Sequence, residues 1–242
     1  MLERENERIA STGAKSAQAV DQGLRKFMMG VYNYMAGGLL VSGMVAFTVA
    51  NTALMNMFIN SRGEASGFSW ILFIAMLATV FSFGWVIRKG TVNQARAVYL
   101  LFTVMMGASI APILWVYTGA SMTRVFLISA ATFGSMSIYG YVTHRDLTSI
   151  GSFLRMGLWG AIIAMIVNMF MQSSAFDYLL SFVIVGIFVG LTAYDTQKIR
   201  KMYYSGDSSE VYTKKALMGA LELYLDFINL FLALLRILGD RR

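Results

Sequence analysis

Seven stretches of predominantly apolar residues follow one another along the chain, separated by short polar links. A helix that crosses the hydrocarbon core of a bilayer needs roughly 20 such residues. The pattern therefore predicts an all-α integral membrane protein with seven transmembrane helices in one domain, residues 27–242, preceded by a polar N-terminal segment, residues 1–26. The expected helices are Phe27–Ala50, Phe68–Ile87, Ala97–Thr118, Met122–Thr143, Ile150–Met171, Tyr178–Ile199 and Ala216–Leu238.

The composition agrees with a membrane protein. Of the 242 residues, 57% are hydrophobic and only 14% are charged, whereas soluble domains are about a quarter charged. So large an apolar excess cannot be hidden inside one globule of this length. Cysteine is absent and His144 is the single histidine, which excludes disulfides, thiolate metal sites and multi-histidine metal centres.

The distribution of basic residues predicts the orientation. With seven spans, fifteen Lys and Arg residues fall on the side of the N-terminus and five on the other side. Cytoplasmic loops carry the excess of basic residues, so the N-terminus is expected in the cytoplasm, and the net charge of +7 needs no nucleic acid to explain it. The C-terminal arginines do not follow this rule, and a re-entrant last helix is the alternative. The five exceptions are Arg62, Arg124, Arg236, Arg241 and Arg242.

Acidic residues at membrane depth are the candidate functional groups. A carboxylate at the centre of a span costs about 2.5 kcal/mol or more, so it normally faces a partner or an interior cavity. Asp195 lies near the end of the sixth stretch, and the seventh contains Gly219, Glu222, Asp226 and Asn229 at steps of three, four and three residues. That spacing places the four on one face of the last helix. The depth of each residue below the membrane surface can be counted from the loop that joins the sixth and seventh stretches. By this depth, Glu222 and Asp226 are equally good partners for Asp195.

Two carboxylates that lie close together away from water cannot both ionise cheaply, and they titrate as a unit. Such a pair is suited to sensing protons. When both groups are ionised, the same oxygens suit a hard divalent cation such as Ca²⁺. The residues by themselves therefore predict a pH-sensitive acidic site within a helix bundle.

Two further features concern helix packing. Pro112 falls inside the third stretch, where it is expected to kink the helix or free a carbonyl. Gly186 and Gly190 form a GxxxG pair, which allows close approach of a neighbouring helix.

No enzyme signature is present. The sequence lacks HExxH and GxSxG motifs, so we expect neither catalytic residues nor a resident cofactor. No inverted repeat is evident either, which argues against a secondary transporter.

Four ordered motifs resemble the Bax inhibitor-1 family, the transmembrane Bax-inhibitor-motif proteins. The likeness begins at about Leu100 and continues to the C-terminus. Its motifs are Tyr117–Gly119 leading into SMTRVFLISAATF, then SIYGYVTHRDLTSIGSFLRMGLWG, GLTAYDTQKIRKMY and ALELYLDFINLFLALLRILG.

The resemblance implies six helices around a central seventh and a Ca²⁺-permeable leak controlled by pH through an aspartate pair. On the matching motifs this pair is Asp195 and Asp226, which would also be the Ca²⁺ ligands, with Glu222 and Asn229 as additional polar pore residues. An arginine of the second helix, for which Arg88 is the candidate, would act as a latch on Asp195. His144 takes the place of the family's usual basic residue before its Arg-Asp pair, and it is expected to be an ordinary loop residue.

The sequence thus predicts a pH-sensitive calcium leak channel whose partners are lipid, Ca²⁺ and protons. The alternative is a membrane regulator that binds a membrane protease or a cell-survival protein. The polar start of the chain, which lacks a secretory signal pattern, and the likeness to bacterial members predict a bacterial inner membrane. The endoplasmic reticulum is the alternative location.

Overall fold

The computed structural model describes residues 2–60 and 64–242, with side chains described from Val20 onward. Arg62 lies outside the described residues. The fold is all-α, as predicted. Its helices are α1 (Leu2–Ala50), a 3-10 turn (Ala53–Met57), α2 (Gly67–Lys89), α3 (Val92–Ile110), α4 (Ile113–Val116), α5 (Gly119–Val142), α6 (Thr148–Met171), α7 (Ser174–Met202) and α8 (Ser209–Leu238).

Several helices begin at a side-chain cap. The hydroxyl groups of Ser66, Thr91, Thr118, Ser173 and Ser208 each accept a hydrogen bond from a backbone N–H in the first turn of the helix that follows. Such caps satisfy donors that the helix leaves free at its start. They explain why the helices extend a few residues beyond the apolar stretches.

Six helices are long and apolar enough to cross a membrane: Val20–Ala50, Gly67–Lys89, Val92–Val116, Gly119–Val142, Thr148–Met171 and Ser174–Met202. Their outward faces need lipid. On α6, for example, Phe153, Trp159 and Phe170 are 71%, 68% and 79% exposed. The chain is therefore a multi-pass membrane protein.

Helix α8 is not among these six spans, although it is the most enclosed helix. It packs against α1, α2, α3, α5 and α7, and it has buried residues on every face. Helix α6 packs against α7 instead. The seventh crossing, with six helices around the last one, stays a prediction.

The two ends of α8 lie at opposite ends of the bundle. At its start the chain arrives from α7, whereas beyond its end the backbone N–H of Thr118 donates to the carbonyl of Asp240 at 3.1 Å. The Arg236 guanidinium also lies 3.8 Å from a carboxylate oxygen of Asp177, in the first turn of α7. Because α8 is one continuous helix of 30 residues, about 45 Å long, it does not turn back. The helix therefore forms no hairpin, while its placement across the membrane stays a prediction.

Three other expectations have an outcome. The third apolar stretch forms two helices instead of one: α3 ends at Ile110, and Pro112 is the N-cap residue of the short α4. The break occurs here because proline has no backbone N–H to continue the helix. Of the glycine pair, only Gly190 closely approaches a neighbour: a Cβ there would lie 2.5 Å from Leu154 of α6. Helix α1 runs unbroken across the boundary expected at residue 26, while the division into two segments stays a prediction.

Candidate functional site

The site is built where α7 and α8 pack together. Asp195 of α7 and Asp226 of α8 lie close enough for their carboxyl groups to interact electrostatically, and these are the two residues that the sequence motifs single out. Asp226 is 5% exposed, and Asp195 is partly buried. Two carboxyl groups can share a hydrogen bond only if one carries a proton, since an ionised carboxylate has no donor.

Glu222 joins this pair from α8, one helical turn before Asp226, and interacts electrostatically with both aspartates. Its Oε1 accepts a hydrogen bond from Lys198 Nζ at 2.7 Å. The two side chains of this ion pair are only 35% and 23% exposed. Depth counting could not choose between Glu222 and Asp226, and the structure places both carboxylates beside Asp195.

The cations around Asp195 were not identified from the sequence. Lys198, one turn further along α7, and Arg155, on α6, both interact electrostatically with Asp195. Arg155 Nη2 also donates to the Tyr194 hydroxyl at 3.2 Å, and its guanidinium lies 5.0 Å from the centre of that ring. The position of Lys198 could have been inferred from the sequence, since it follows Asp195 by three residues and therefore lies on the same face of the helix. The position of Arg155 could not have been inferred in this way, because only the packing of α6 on α7 brings Arg155 close to Asp195.

The proposed latch, Arg88, is exposed in the last turn of α2. Within the described residues, the cations that act on Asp195 are Lys198 and Arg155. The role of Arg88 therefore stays a prediction, and the structure offers Arg155 as a second candidate for it.

Two oxygens of the site have no hydrogen-bond partner among the described residues. They are Oδ2 of Asp226 and Oε2 of Glu222, both buried. Burying such an atom unpaired is costly, so these oxygens are available to a proton or a cation. Three carboxylates face two cations here, and one proton would balance the charge.

The arrangement is not a closed metal site. Among the described residues, no group of three or more His, Cys, Asp or Glu side chains is placed to hold a metal ion. Asn229, the last member of the polar face, donates to the carbonyl of Leu225 in its own helix at 2.8 Å. The geometry therefore provides a largely enclosed acidic pair flanked by cations, rather than a coordination shell.

A chain of hydroxyl groups reaches α7 next to Asp195. Tyr32 of α1 and Ser137 of α5 share a hydrogen bond of 2.5 Å, and Ser137 shares another of 2.9 Å with Thr196 of α7. Ser137 and Thr196 are buried. This chain links three helices at the level of the acidic pair, and nothing in the sequence pattern had indicated it.

Close backbone packing fixes the position of α7 beside this chain. A Cβ at Gly140 of α5 would run into the backbone of Ala193, and one at Gly219 of α8 would lie 2.9 Å from Ile199. Glycine at both positions lets α5 and α8 approach α7 closely enough for the polar contacts to form. His144, by contrast, is exposed in the link between α5 and α6.

The fold and the site define a class, a multi-pass helical membrane protein with a buried carboxyl pair between its last two helices. Residues 24–242 match the model of the Bax1-I family, described as Inhibitor of apoptosis-promoting Bax1, and the chain belongs to this Bax inhibitor-1 family. It is 41% identical over 223 residues to the inner membrane protein YbhL of Escherichia coli K12, covering 91% of this chain and 94% of the relative. It is also 41% identical over 231 residues to an uncharacterised protein of Rickettsia prowazekii, covering 96% of each. A relative in Borreliella burgdorferi is 42% identical over 222 residues, covering 90% of this chain and 93% of the relative.

Proposed function

We propose that the protein is a pH-sensitive leak pathway for Ca²⁺, controlled by Asp195 and Asp226. The observation that carries the proposal is the pair of buried, unpartnered carboxylate oxygens beside the Asp195–Asp226 contact. A protein that needed only a packed core would gain by replacing these groups with apolar ones. An intramembrane carboxylate is most often retained for ion or proton traffic.

In this proposal the protonation state of the pair is the switch. With one shared proton, the two carboxyl groups hold α7 to α8 through a hydrogen bond. Loss of that proton leaves adjacent negative charges in a medium of low dielectric constant, where they repel each other and attract a cation. The contact between α7 and α8 therefore changes with pH, and the ion pathway changes with it.

Neighbouring side chains set the balance of charge. Lys198 balances the charge of Glu222 through an ion pair of 2.7 Å, and in this proposal the exchangeable proton is the one that the two aspartates share. Arg155 supplies a positive charge to Asp195 from α6. Ca²⁺ is the transported ion in this proposal, taken transiently by carboxylate oxygens, and neither a catalytic step nor a resident cofactor is part of it.

The topology belongs to the same proposal. We place α8 across the membrane as the seventh span, because its ends lie at opposite ends of the bundle. The N-terminus is then in the cytoplasm by the distribution of basic residues. Since YbhL is an inner membrane protein, we place this chain in the inner membrane of a bacterial cell.

The test is Ca²⁺ flux into liposomes that contain a Ca²⁺ dye and the reconstituted protein. Wild-type flux is expected to change across a pH titration, and Asp226→Asn is expected to remove that change. Asp195→Asn and Glu222→Gln separate the contributions of the other two carboxyl groups. Asp177→Asn is the matched control, because Asp177 lies on α7 at the opposite end from the pair. Equal, pH-independent flux through wild type and Asp226→Asn rules the proposal out.

A binding regulator is the second candidate, favoured by the length of α1. This helix begins at Leu2, whereas the apolar stretch predicted from the sequence begins at Phe27, so a polar helical extension is available to a membrane protease or a cell-survival partner. Deleting residues 2–19 separates the two functions. If the biological effect is lost while the Ca²⁺ flux persists, binding is the primary role.

A further inference from the structure

A long crevice separates α1 from α5. Both helices pack on α8, and the Tyr32–Ser137 hydrogen bond joins them across the crevice. Within the crevice lies an open cavity of about 640 Å³, inside the usual range for a ligand site. It is lined mainly by apolar side chains of the two spans: Met28 and Met29 of α1, and Phe133 and Ile138 of α5.

A second cavity, of about 430 Å³, adjoins the first at the end of α5. Its lining is polar and basic, and it is formed by the end of α5, the following link and α7: His144, Arg145, Asp146, Gln197, Arg200 and Lys201. Val20 and Leu24 of α1 line this cavity, whereas Arg25, the next residue, lines the apolar one. The two cavities share no lining residue, but these consecutive residues of α1 place them next to each other, and we treat them as the apolar and basic sections of one crevice.

One contact marks the junction between the sections. Arg200 lines the basic cavity and Tyr141 lines the apolar one. The guanidinium of Arg200 donates to the carbonyl of Tyr141 at 2.6 Å and lies 5.5 Å from the centre of its ring. The Arg200–Tyr141 contact therefore marks the boundary between the basic and the apolar lining of the crevice.

The basic section carries a positive surplus. Arg25, Arg145, Arg200 and Lys201 line the junction and the basic cavity. The acids paired with them are Asp21, 3.1 Å from Arg25, and Asp146, 3.1 Å from Lys201. Counted over the residues whose side chains are described, four cations against two carboxylates leave two positive charges for an anion to neutralise.

We propose that this crevice binds one anionic phospholipid, with an acyl chain between α1 and α5 and its phosphate against Arg145 and Arg200. Charge complementarity identifies the head group, and the apolar section, which lies within two membrane spans, identifies the chain. The apolar section opens sideways, since Met29 and Ile138 at its rim are 59% and 66% exposed. A lipid can therefore enter from the bilayer, where anionic head groups concentrate in the cytoplasmic leaflet.

The site is independent of the acidic pair, so its test does not use flux. The full chain in detergent is incubated with phosphatidylglycerol or with phosphatidylcholine of the same chains, and the bound lipid is counted by native mass spectrometry. We expect preferential retention of one phosphatidylglycerol. Equal retention of the two lipids by the unmodified protein overturns the proposal without any variant.

Two variants locate the lipid. Gly134 lines the apolar section, and a Cβ there meets nothing within 4 Å, so Gly134→Leu adds a side chain that starts in open space and occupies part of the crevice. It is expected to abolish retention, whereas Gly160→Leu on α6, equally free of neighbours, is expected to leave it unchanged. If both variants bind lipid like wild type, the chain does not occupy this crevice.

Arg145→Gln tests the head-group section. It is expected to reduce the preference for phosphatidylglycerol about five-fold, the factor that corresponds to about 1 kcal/mol per basic side chain near an anionic surface. Lys89→Gln, at the end of α2, is the matched control. Soluble glycerol phosphate is expected not to compete. Competition by it would show a site for a free phosphate, and the lipid proposal would then be wrong.

Discussion

The ion pair between Lys198 and Glu222 gives the most direct test of how the acidic site is held together. Replacing Lys198 by Met keeps most of the aliphatic stem but removes the ammonium that donates to Glu222 Oε1 at 2.7 Å. Glu222 then has two unpartnered oxygens instead of one. The variant therefore isolates the electrostatic part of the contact.

The expected magnitude follows from burial. Breaking a fully buried pair costs about 3–5 kcal/mol, and an exposed pair contributes about 0–1 kcal/mol. The side chains here are 35% and 23% exposed, between these limits, so we expect Lys198→Met to lose about 2 kcal/mol. For a protein of this length that corresponds to a fall of about 4–8 °C in the unfolding midpoint.

The assay is thermal unfolding of the purified protein in detergent, with a double-mutant cycle. Glu222→Gln removes the other charge, and the double variant is expected to lose less than the sum of the single losses because the two residues interact directly. Lys201→Met is the matched control on the same helix, since the Lys201–Asp146 pair is 59% and 69% exposed. If the two lysine variants lower the midpoint equally, or the cycle is additive, the Lys198–Glu222 contact does not stabilise the site.

Three further changes have defined outcomes. Gly140→Leu is expected to cost about 1–3 kcal/mol in thermal unfolding, because its side chain would meet the backbone of α7 in a packed interface. Tyr32→Phe is expected to cost about 1 kcal/mol in the same assay by removing the hydrogen bond to Ser137 of α5. Hydrogen bonds from Thr148 and Lys201 lower the pKa of Asp146. Its contribution to stability is therefore present above the ordinary carboxyl range near pH 4 and is lost as pH falls through the lowered pKa. Unfolding midpoints measured against pH should lose that acid dependence in Asp146→Asn.

Matched controls accompany these changes. Gly186→Leu on α7, where a Cβ meets nothing within 4 Å, is expected to unfold like wild type. Tyr178→Phe alters an exposed ring and is expected to be neutral. For the acid dependence the control is Glu210→Gln, another exposed carboxylate at the start of α8. Equal effects in a variant and its control would contradict the corresponding contact.

Much of the fold was predictable because the bilayer imposes a simple rule on sequence. A run of about 20 apolar residues must be a helix, since lipid offers no partner for backbone N–H and C=O groups. The predicted Ile150–Met171 corresponds to α6 (Thr148–Met171), and Phe68–Ile87 to α2 (Gly67–Lys89). The ends extend further because cap residues and basic side chains continue each helix past its apolar run. The third stretch was predicted as one kinked helix, and it is broken ahead of Pro112 instead.

The candidate site was predictable only in part. The steps along α8 placed Glu222 and Asp226 on one face, and the motifs paired Asp226 with Asp195. The positions of the surrounding cations were not accessible, because Arg155 is forty residues before Asp195 in the sequence. It reaches that carboxylate through the packing of α6 on α7.

The sequence by itself predicted most of the helices and singled out the acidic residues within the apolar stretches, because helical periodicity and the cost of a charge in lipid act locally along the chain. Tertiary structure alone decided which side chains surround the pair, that α8 runs the full length of the bundle, and that α1 and α5 leave a crevice between them. These depend on where helices distant in sequence meet. Glycines such as Gly140 allow two helices to pack closely. The sequence shows where each glycine is, but not whether it faces lipid or the backbone of another helix.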